Sequence, residues 1–397
     1  MNLAPIKALL RPDMVLYIVI LFLVEFVRGA ALISFLSIYG TNHLGLDLDV
    51  IGAAITASFL TDTSVKLAMG YLLDRFSIRA VVSAGLLCML SGTLLIGFAD
   101  VSWLFITASA LFGIGLSPIW IVCLTRVREE GRGTQMGMLY TIWLVGLGAG
   151  PVVTNLVLDW NMNAAFWMLA CISLASWLLS FGLAPSRDMR IDRVPFRQQI
   201  AILGSRLREM KVLLPGMVLQ TLGAGMLLPI LPAFASNRLG FTSSHYSLLL
   251  AVGGGFTVLG LIPMGRLADK LGKKWFLVAG FLSFGIVLYL LTLNPTYGMA
   301  LFWSLVLGIS YAAVLPAWNA LLAAYVPPDQ QGLGWGVFST VEGLGGMIGP
   351  YLGGVLAISL SESWVVGLAG ALFVMISMFY MFFPFHSFRG ERQAGAS

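Results

Sequence analysis

The sequence predicts an all-α membrane protein of twelve transmembrane helices arranged as two six-helix bundles. Three observations carry the prediction. Of 397 residues, 58% are hydrophobic and only 10% charged, with a mean hydropathy of +0.91, outside the range of soluble domains. The apolar residues gather in stretches close to the ~20 residues a helix needs to cross a hydrocarbon core. Landmarks of the first half also recur in the second.

In chain order the apolar stretches lie near 14–38, 50–72, 80–99, 103–124, 135–158, 163–184, 214–234, 245–267, 275–293, 297–323, 333–359 and 364–384. The first follows Lys7 and Arg11 as a signal peptide would, but eleven more spans follow it and no soluble domain does, so it reads as a retained helix. Of 23 Lys and Arg residues, Arg28 and Lys66 fall within spans, Arg238 falls on one side, and the other twenty fall on the opposite side. The positive-inside rule makes that side the cytoplasm and puts both termini there. The net charge of +5 is then a matter of topology and anionic lipid, with nothing that calls for nucleic acid.

The longest polar stretch, between the sixth and seventh spans, carries Arg187, Arg190, Arg193, Arg197, Arg206, Arg208 and Lys211 against Asp188, Asp192 and Glu209. It divides the chain into an amino-terminal bundle (1–184), a cytoplasmic linker (185–213) and a carboxy-terminal bundle (214–397). Within it Ile200, Leu203 and Leu207 recur at helical spacing among arginines, as in an amphipathic helix lying on the membrane surface. Cys88, Cys123 and Cys171 lie in spans as packing residues, and no metal-ligand spacing is present. His43, His245 and His386 lie at or beyond span ends, which leaves intramembrane proton chemistry to Glu25, Asp62 and Glu342.

Four ionisable residues stand inside the first two spans. Glu25 and Arg28, three apart, share a helix face, and Asp62 and Lys66 are four apart. Charge at bilayer depth costs roughly 2.5 to 3.5 kcal/mol per residue on insertion scales and is usually kept for an ion or substrate path. The bland alternative is a pair of structural ion pairs. The matching positions 195 residues on are Gln220, Gly223, Thr257 and Leu261, so one half is charged inside and the other is not. The lining expected from this is uneven, polar on one side and apolar on the other, and suits a ligand with a polar end and a greasy end. Trp120 and Trp143 could stack on a sugar ring, although tryptophan also anchors spans at interfaces. Trp318, Phe234, Phe256, Phe338 and Met347 are candidate walls for acyl chains, or ordinary helix packing. For Glu342 a functional and a structural role weigh equally.

The repeat is quotable. Asn42, Leu44, Gly45, Gly70, Asp74 and Arg75 align with Asn237, Leu239, Gly240, Gly265, Asp269 and Lys270 at an offset of 195. Pro118 and Trp120 match Pro316 and Trp318 at 198, and Gly133, Gly137, Gly146, Gly150 and Pro151 match Gly332, Gly336, Gly345, Gly349 and Pro350 at 199. Six spans per half in parallel orientation resembles the major facilitator fold. The stretch Gly70-Tyr-Leu-Leu-Asp74-Arg75-Phe-Ser-Ile-Arg79 is similar to that superfamily's signature loop, repeated as Gly265-Arg-Leu-Ala-Asp269-Lys270-Leu-Gly-Lys273-Lys274. Gly70, Asp74, Arg75, Asp269 and Lys270 are accordingly expected to form loops that latch one conformation. Gly146-Leu-Gly-Ala-Gly150-Pro151 resembles the antiporter-type glycine and proline motif.

A narrower resemblance lies in Leu23-Val-Glu25-Phe-Val-Arg28-Gly29, Ser117-Pro-Ile-Trp120, Gly133-Thr-Gln-Met-Gly137 with Trp143-Leu-Val-Gly146, and Leu315-Pro-Ala-Trp-Asn319 followed by Asp329-Gln-Gln331 and Trp335-Gly-Val-Phe338. Together these are similar to the LtaA-type flippases. The resemblance implies proton-coupled movement of the diglucosyl-diacylglycerol anchor of lipoteichoic acid across the cell membrane of Gram-positive bacteria. It implies that Glu25, Arg28, Asp62, Trp120 and Trp143 line a polar central cavity, and Lys66 joins them from its spacing to Asp62. Glu342 departs from that pattern. A carboxylate that alternates between contact with Arg or Lys and isolation takes up and releases a proton, so Glu25 or Asp62 is expected to couple transport to a proton gradient, with no other cofactor and no metal. The expected partners are the glycolipid, protons and the bilayer, around a monomer. Two other readings remain: a proton-coupled exporter of amphipathic drugs, whose cavity has the same mixed character, and an intramembrane enzyme, for which no nucleophile arrangement or phosphate-binding loop is present.

Overall fold

In a computed structural model, residues 12–99, 101–126, 132–184, 213–323 and 331–382 are described. The expected surface helix at 196–210 and both chain ends lie outside them. The described residues contain twelve helical spans long and apolar enough to cross a membrane, the first Met14–Asn42 and the last Glu362–Phe382. Several helices outrun their apolar stretch. The second runs Leu48–Arg75 and the eighth Ser243–Leu271, because no helix breaker stands at the membrane edge and the basic Arg75 and Lys270 in the last turns suit the negative end of the helix dipole. The expected signature loops are therefore mostly helix ends: Gly70, Asp74, Arg75, Asp269 and Lys270 all belong to the last turns of their helices. The turn itself is only Phe76 and Ser77, where the Ser77 hydroxyl caps the third helix by accepting from the Ala80 amide. The side chains of Asp74 and Asp269 lie outside the described residues.

The chain divides into two compact units, Met1–Arg193 and Val194–Ser397. Inside the first, the first span packs on the fifth and sixth, the second on the fourth, and the third on the fourth and sixth. Inside the second unit the same pairs recur six spans later: seventh on eleventh and twelfth, eighth on tenth, ninth on tenth and twelfth. Small residues make the closest seam in both. A Cβ on Gly29 or Gly150 would strike the backbone of the facing helix at Leu147 or Phe26, and one on Gly345 or Gly353 would strike Val218 or Met226. Without a hydrophobic force between helices in lipid, such backbone proximity is how membrane helices hold together. The turn after the leading helix repeats too: Gly45 and Gly240 have φ of 65° and 68°, a region that favours glycine. The Leu46 and Phe241 amides donate back to the Gly40 and Ala235 carbonyls.

The repeat breaks in two places. The first span contains a π turn, Ala31–Phe35, whereas the seventh is one helix, Leu214–Asn237, with Pro229 and Pro232 inside. The fourth span is broken into Ser102–Ile114 and Pro118–Thr125, whereas the tenth is continuous through Pro316, Tyr297–Ala323. Both irregularities of the first unit flank its charged residues.

Candidate functional site in the amino-terminal bundle

Glu25 and Arg28 lie on the first helix in the turns before the π segment, and Asp62 and Lys66 on the second. Asp62 is the junction. Arg28 Nη2 and Lys66 Nζ each donate to its Oδ2 at 2.8 Å, while the Ser117 hydroxyl donates to Oδ1. Ser117 sits in the break of the fourth span, where the Leu116 amide bonds only three residues back, to Gly113; the interrupted helix is what brings this hydroxyl to the carboxylate. Arg28 reaches Glu25 Oε1 more loosely, at 3.5 Å. Glu25 is 0% exposed and Asp62 1%, while the Lys66 side chain is 36% exposed. Glu25 Oε2 is buried without a hydrogen-bond partner. The two carboxylates therefore differ: Asp62 is held by three donors and Glu25 by one long contact.

The fifth span carries the aromatic side of the site. A Cβ on Gly146 would lie 3.0 Å from Glu25 Cβ, so the fifth span packs on the first at Glu25, and Trp143 stands one turn before that contact on the same helix. Trp143, Trp120 and Tyr140 form one aromatic group, with centroids 5.2 Å apart for Trp120 and Tyr140, 6.3 Å for the two tryptophans and 6.5 Å for Tyr140 and Trp143. Trp120 and Trp143 are partly buried and Tyr140 is exposed. Sequence reasoning missed Ser117 and Tyr140. The signal for Tyr140 was its three-residue spacing to Trp143; for Ser117 it was only its place at the head of the Ser117-Pro-Ile-Trp120 stretch, since its role depends on the helix break.

In the second unit the positions of the charged residues do other work. The Thr257 hydroxyl donates to the Gly253 and Gly308 carbonyls at 2.9 and 3.1 Å and so ties the eighth span to the tenth. Gly223 faces Phe373. Among the acyl-wall candidates, Phe234 is packed in the bundle core at 2% exposure, Phe256 is 38% exposed and Met347 is partly buried. The Phe338 side chain lies outside the described residues. Trp318 is 3% exposed and packs edge-on against Phe281 and Tyr380. Its indole N–H donates to Glu342 Oε1 at 2.9 Å, and Gln220 Nε2 donates to the same oxygen at 3.3 Å. This bundle therefore holds a polar group of its own, built around the residue that departed from the expected pattern.

The sequence model described as Major Facilitator Superfamily matches residues 17–212 and again 213–396. The chain is 30% identical over 383 residues to the proton-coupled antiporter flippase LtaA of Staphylococcus haemolyticus, covering 94% of each chain. It is 29% identical over 373 residues to the protein of the same name from Staphylococcus saprophyticus subsp. saprophyticus, covering 93% of each. The fold is similar to the crystal structure of the nucleoside transporter NupG, with a TM-score of 0.76 and 14% identity over 94% of this chain and 98% of that one. The duplicated packing, the twelve spans and the double match agree that the chain belongs to the Major Facilitator Superfamily, as a membrane transporter of the LtaA type rather than an enzyme.

Proposed function

We propose that this protein is a proton-coupled flippase that moves a glycolipid, the diglucosyl-diacylglycerol anchor of lipoteichoic acid, across the cytoplasmic membrane, with both termini in the cytoplasm. The single observation that carries the reading is the chain of charges Glu25–Arg28–Asp62–Lys66, buried at its carboxylates and open at Lys66. A buried charge cluster of this kind is costly unless used. Beside it, the group of Trp120, Tyr140 and Trp143 offers ring faces of the kind that stack on a sugar.

The roles divide by hydrogen bonding. Asp62, with three donors, anchors Arg28 and Lys66. Glu25, with an oxygen that no donor reaches, carries the proton: a proton on that carboxyl replaces the missing donor and releases Arg28 from one of its two anions. Sugar hydroxyls then compete with the carboxylate for Arg28 and Lys66 as hydrogen-bond acceptors, which links headgroup binding to proton uptake by Glu25. Phe256, Phe338 and Met347 remain the acyl-chain candidates, backed from the bundle core by Trp318 and Phe234, and the charged helix ends at Asp74, Arg75, Asp269 and Lys270 the conformational latches.

The test is reconstitution in liposomes with labelled diglucosyl, monoglucosyl and headgroup-free diacylglycerols, with and without a proton gradient. The diglucosyl lipid moves fastest and responds to the gradient. Equal movement of all three, or export that follows the hydrophobicity and cationic charge of drugs, overturns the headgroup claim. If E25Q with D62N left the response to a pH gradient intact, the coupling claim would fail.

A further inference from the structure

The amino-acid offsets between the halves put Gln220 at the position of Glu25, Trp318 at that of Trp120, and Glu342 at that of Trp143. In both bundles, then, the same three places on the leading, fourth and fifth helices hold a carboxylate and tryptophan, but the carboxylate has moved from the leading helix to the fifth-position helix. In the second bundle it meets Trp318 and Gln220 at 2.9 and 3.3 Å. Both donors meet Oε1.

The second difference is charge compensation. The seventh, tenth, eleventh and twelfth helices contain no Lys, Arg or His from Leu214 to Asn237, Tyr297 to Ala323, Gln331 to Ser359 and Glu362 to Phe382, and the ninth, which reaches Trp318 through Phe281, carries Lys273 and Lys274 only in its first turn. The seventh presents Gln220, the tenth Trp318 and the phenol of Tyr311, and the twelfth no charged side chain beyond Glu362, which pairs with Arg238 at the far end. Glu342 is thus a membrane carboxylate with two neutral donors on one oxygen and no cation paired with it among the described residues of its bundle. An ionised carboxylate without a partner is among the most expensive groups in a membrane, and a protonated one is a neutral polar group. Unlike Glu25, which has Arg28, it has no cation among the described residues of its bundle to surrender when the proton arrives.

We propose that Glu342 is a second proton-binding site, housed in the carboxy-terminal bundle, and that the transport cycle carries one proton on it in addition to the proton handled by Glu25 and Asp62. The proton binds at the carboxylate as –COO⁻ plus H⁺ giving –COOH and leaves unchanged on the other side, so no co-reactant is needed. Trp318 and Gln220 are positioning residues: they fix Oε1 and leave Oε2 to take the proton. The stoichiometric part rests on the flippase reading, whereas the proton site itself does not.

Two measurements separate these. For the site, the purified protein in lipid without substrate is titrated by infrared difference spectroscopy in the carboxyl region. The native chain shows a protonated-carboxyl band that changes with pH, and E342Q loses it while E25Q keeps it; W318F keeps the band but moves its midpoint. E342Q is nearly isosteric and its amide oxygen still accepts from Trp318 and Gln220, so its folding is not in question. For the stoichiometry, the steady-state transbilayer ratio of labelled glycolipid is read at a pH difference of about one unit, where one fewer coupled proton lowers the ratio about tenfold. A residue with a structural role would slow the approach to that ratio and leave its value alone. An E342Q spectrum identical to the native one overturns the proton site. A lost band with an unchanged ratio overturns the coupling of that site to transport, and absence of any glycolipid movement by the native chain would sink the flippase reading while the infrared result still stands.

Discussion

The two bundles share their packing pairs and their glycine seams, yet treat the same positions in opposite ways. In the first, Asp62 gathers Arg28, Lys66 and Ser117 around a buried charge. In the second, the corresponding Thr257 spends its hydroxyl on two backbone carbonyls and staples neighbouring helices. The backbone follows the same division. The charged bundle contains a π turn and a broken fourth span, while the other runs straight through the equivalent proline at Pro316. Helix irregularities free carbonyls and redirect side chains, and they concentrate where a site must be shaped. The comparison teaches that the repeat fixes where helices meet, and that function is written in which of those meeting points carries charge.

The largest effect expected is from R28A. It leaves Glu25 and Asp62 buried with only Lys66 to compensate, and loss of one partner from such a pair costs about 3–5 kcal/mol. Transport should fall below detection and the thermal midpoint in detergent should drop, while the equivalent change in the other bundle, G223A, should do little, because its Cβ meets only the ring edge of Phe373 at 3.3 Å and needs that ring to shift by a few tenths of an ångström. E25Q comes next. The Arg28–Asp62 pair persists, so glycolipid still binds, but the response of flipping to an imposed pH gradient weakens to the part that Glu342 carries; an unaltered response would reassign the proton to Asp62.

Close packing should be symmetric where charge is not. G150L and G349L each force a side chain into the facing backbone and should destabilise by roughly 1–3 kcal/mol, whereas G148A and G346A, with open space beside them, should be neutral in the same thermal assay. S117A sharpens the comparison at smaller scale. It removes a charge-assisted hydrogen bond worth about 1.5–3 kcal/mol, weakening glycolipid binding, while L315A at the matching site should leave binding alone. The smallest effect is T257V, which deletes an interhelical hydrogen bond of the kind that averages about 0.6 kcal/mol in membranes and should shift stability slightly with no change in coupling.

Much of this was legible in the chain. Hydropathy gave twelve spans, because lipid leaves a spanning backbone no partner but its own helix. Fixed offsets gave the duplication, and the spacings of Glu25 to Arg28 and Asp62 to Lys66 gave two ion pairs that the structure shows at 3.5 and 2.8 Å. What local spacing does not contain is the joining of those pairs into one cluster through Arg28 and Asp62, thirty-four residues apart, or the arrival of Ser117 through a broken helix. Nor does it contain the reach of Trp318 and Gln220 onto a single oxygen of Glu342. Helical periodicity is a short-range property and is printed in the order of residues. Which donor meets which acceptor across a helix seam depends on the rotation and depth of each helix, and these are set only when all six helices of a bundle pack together.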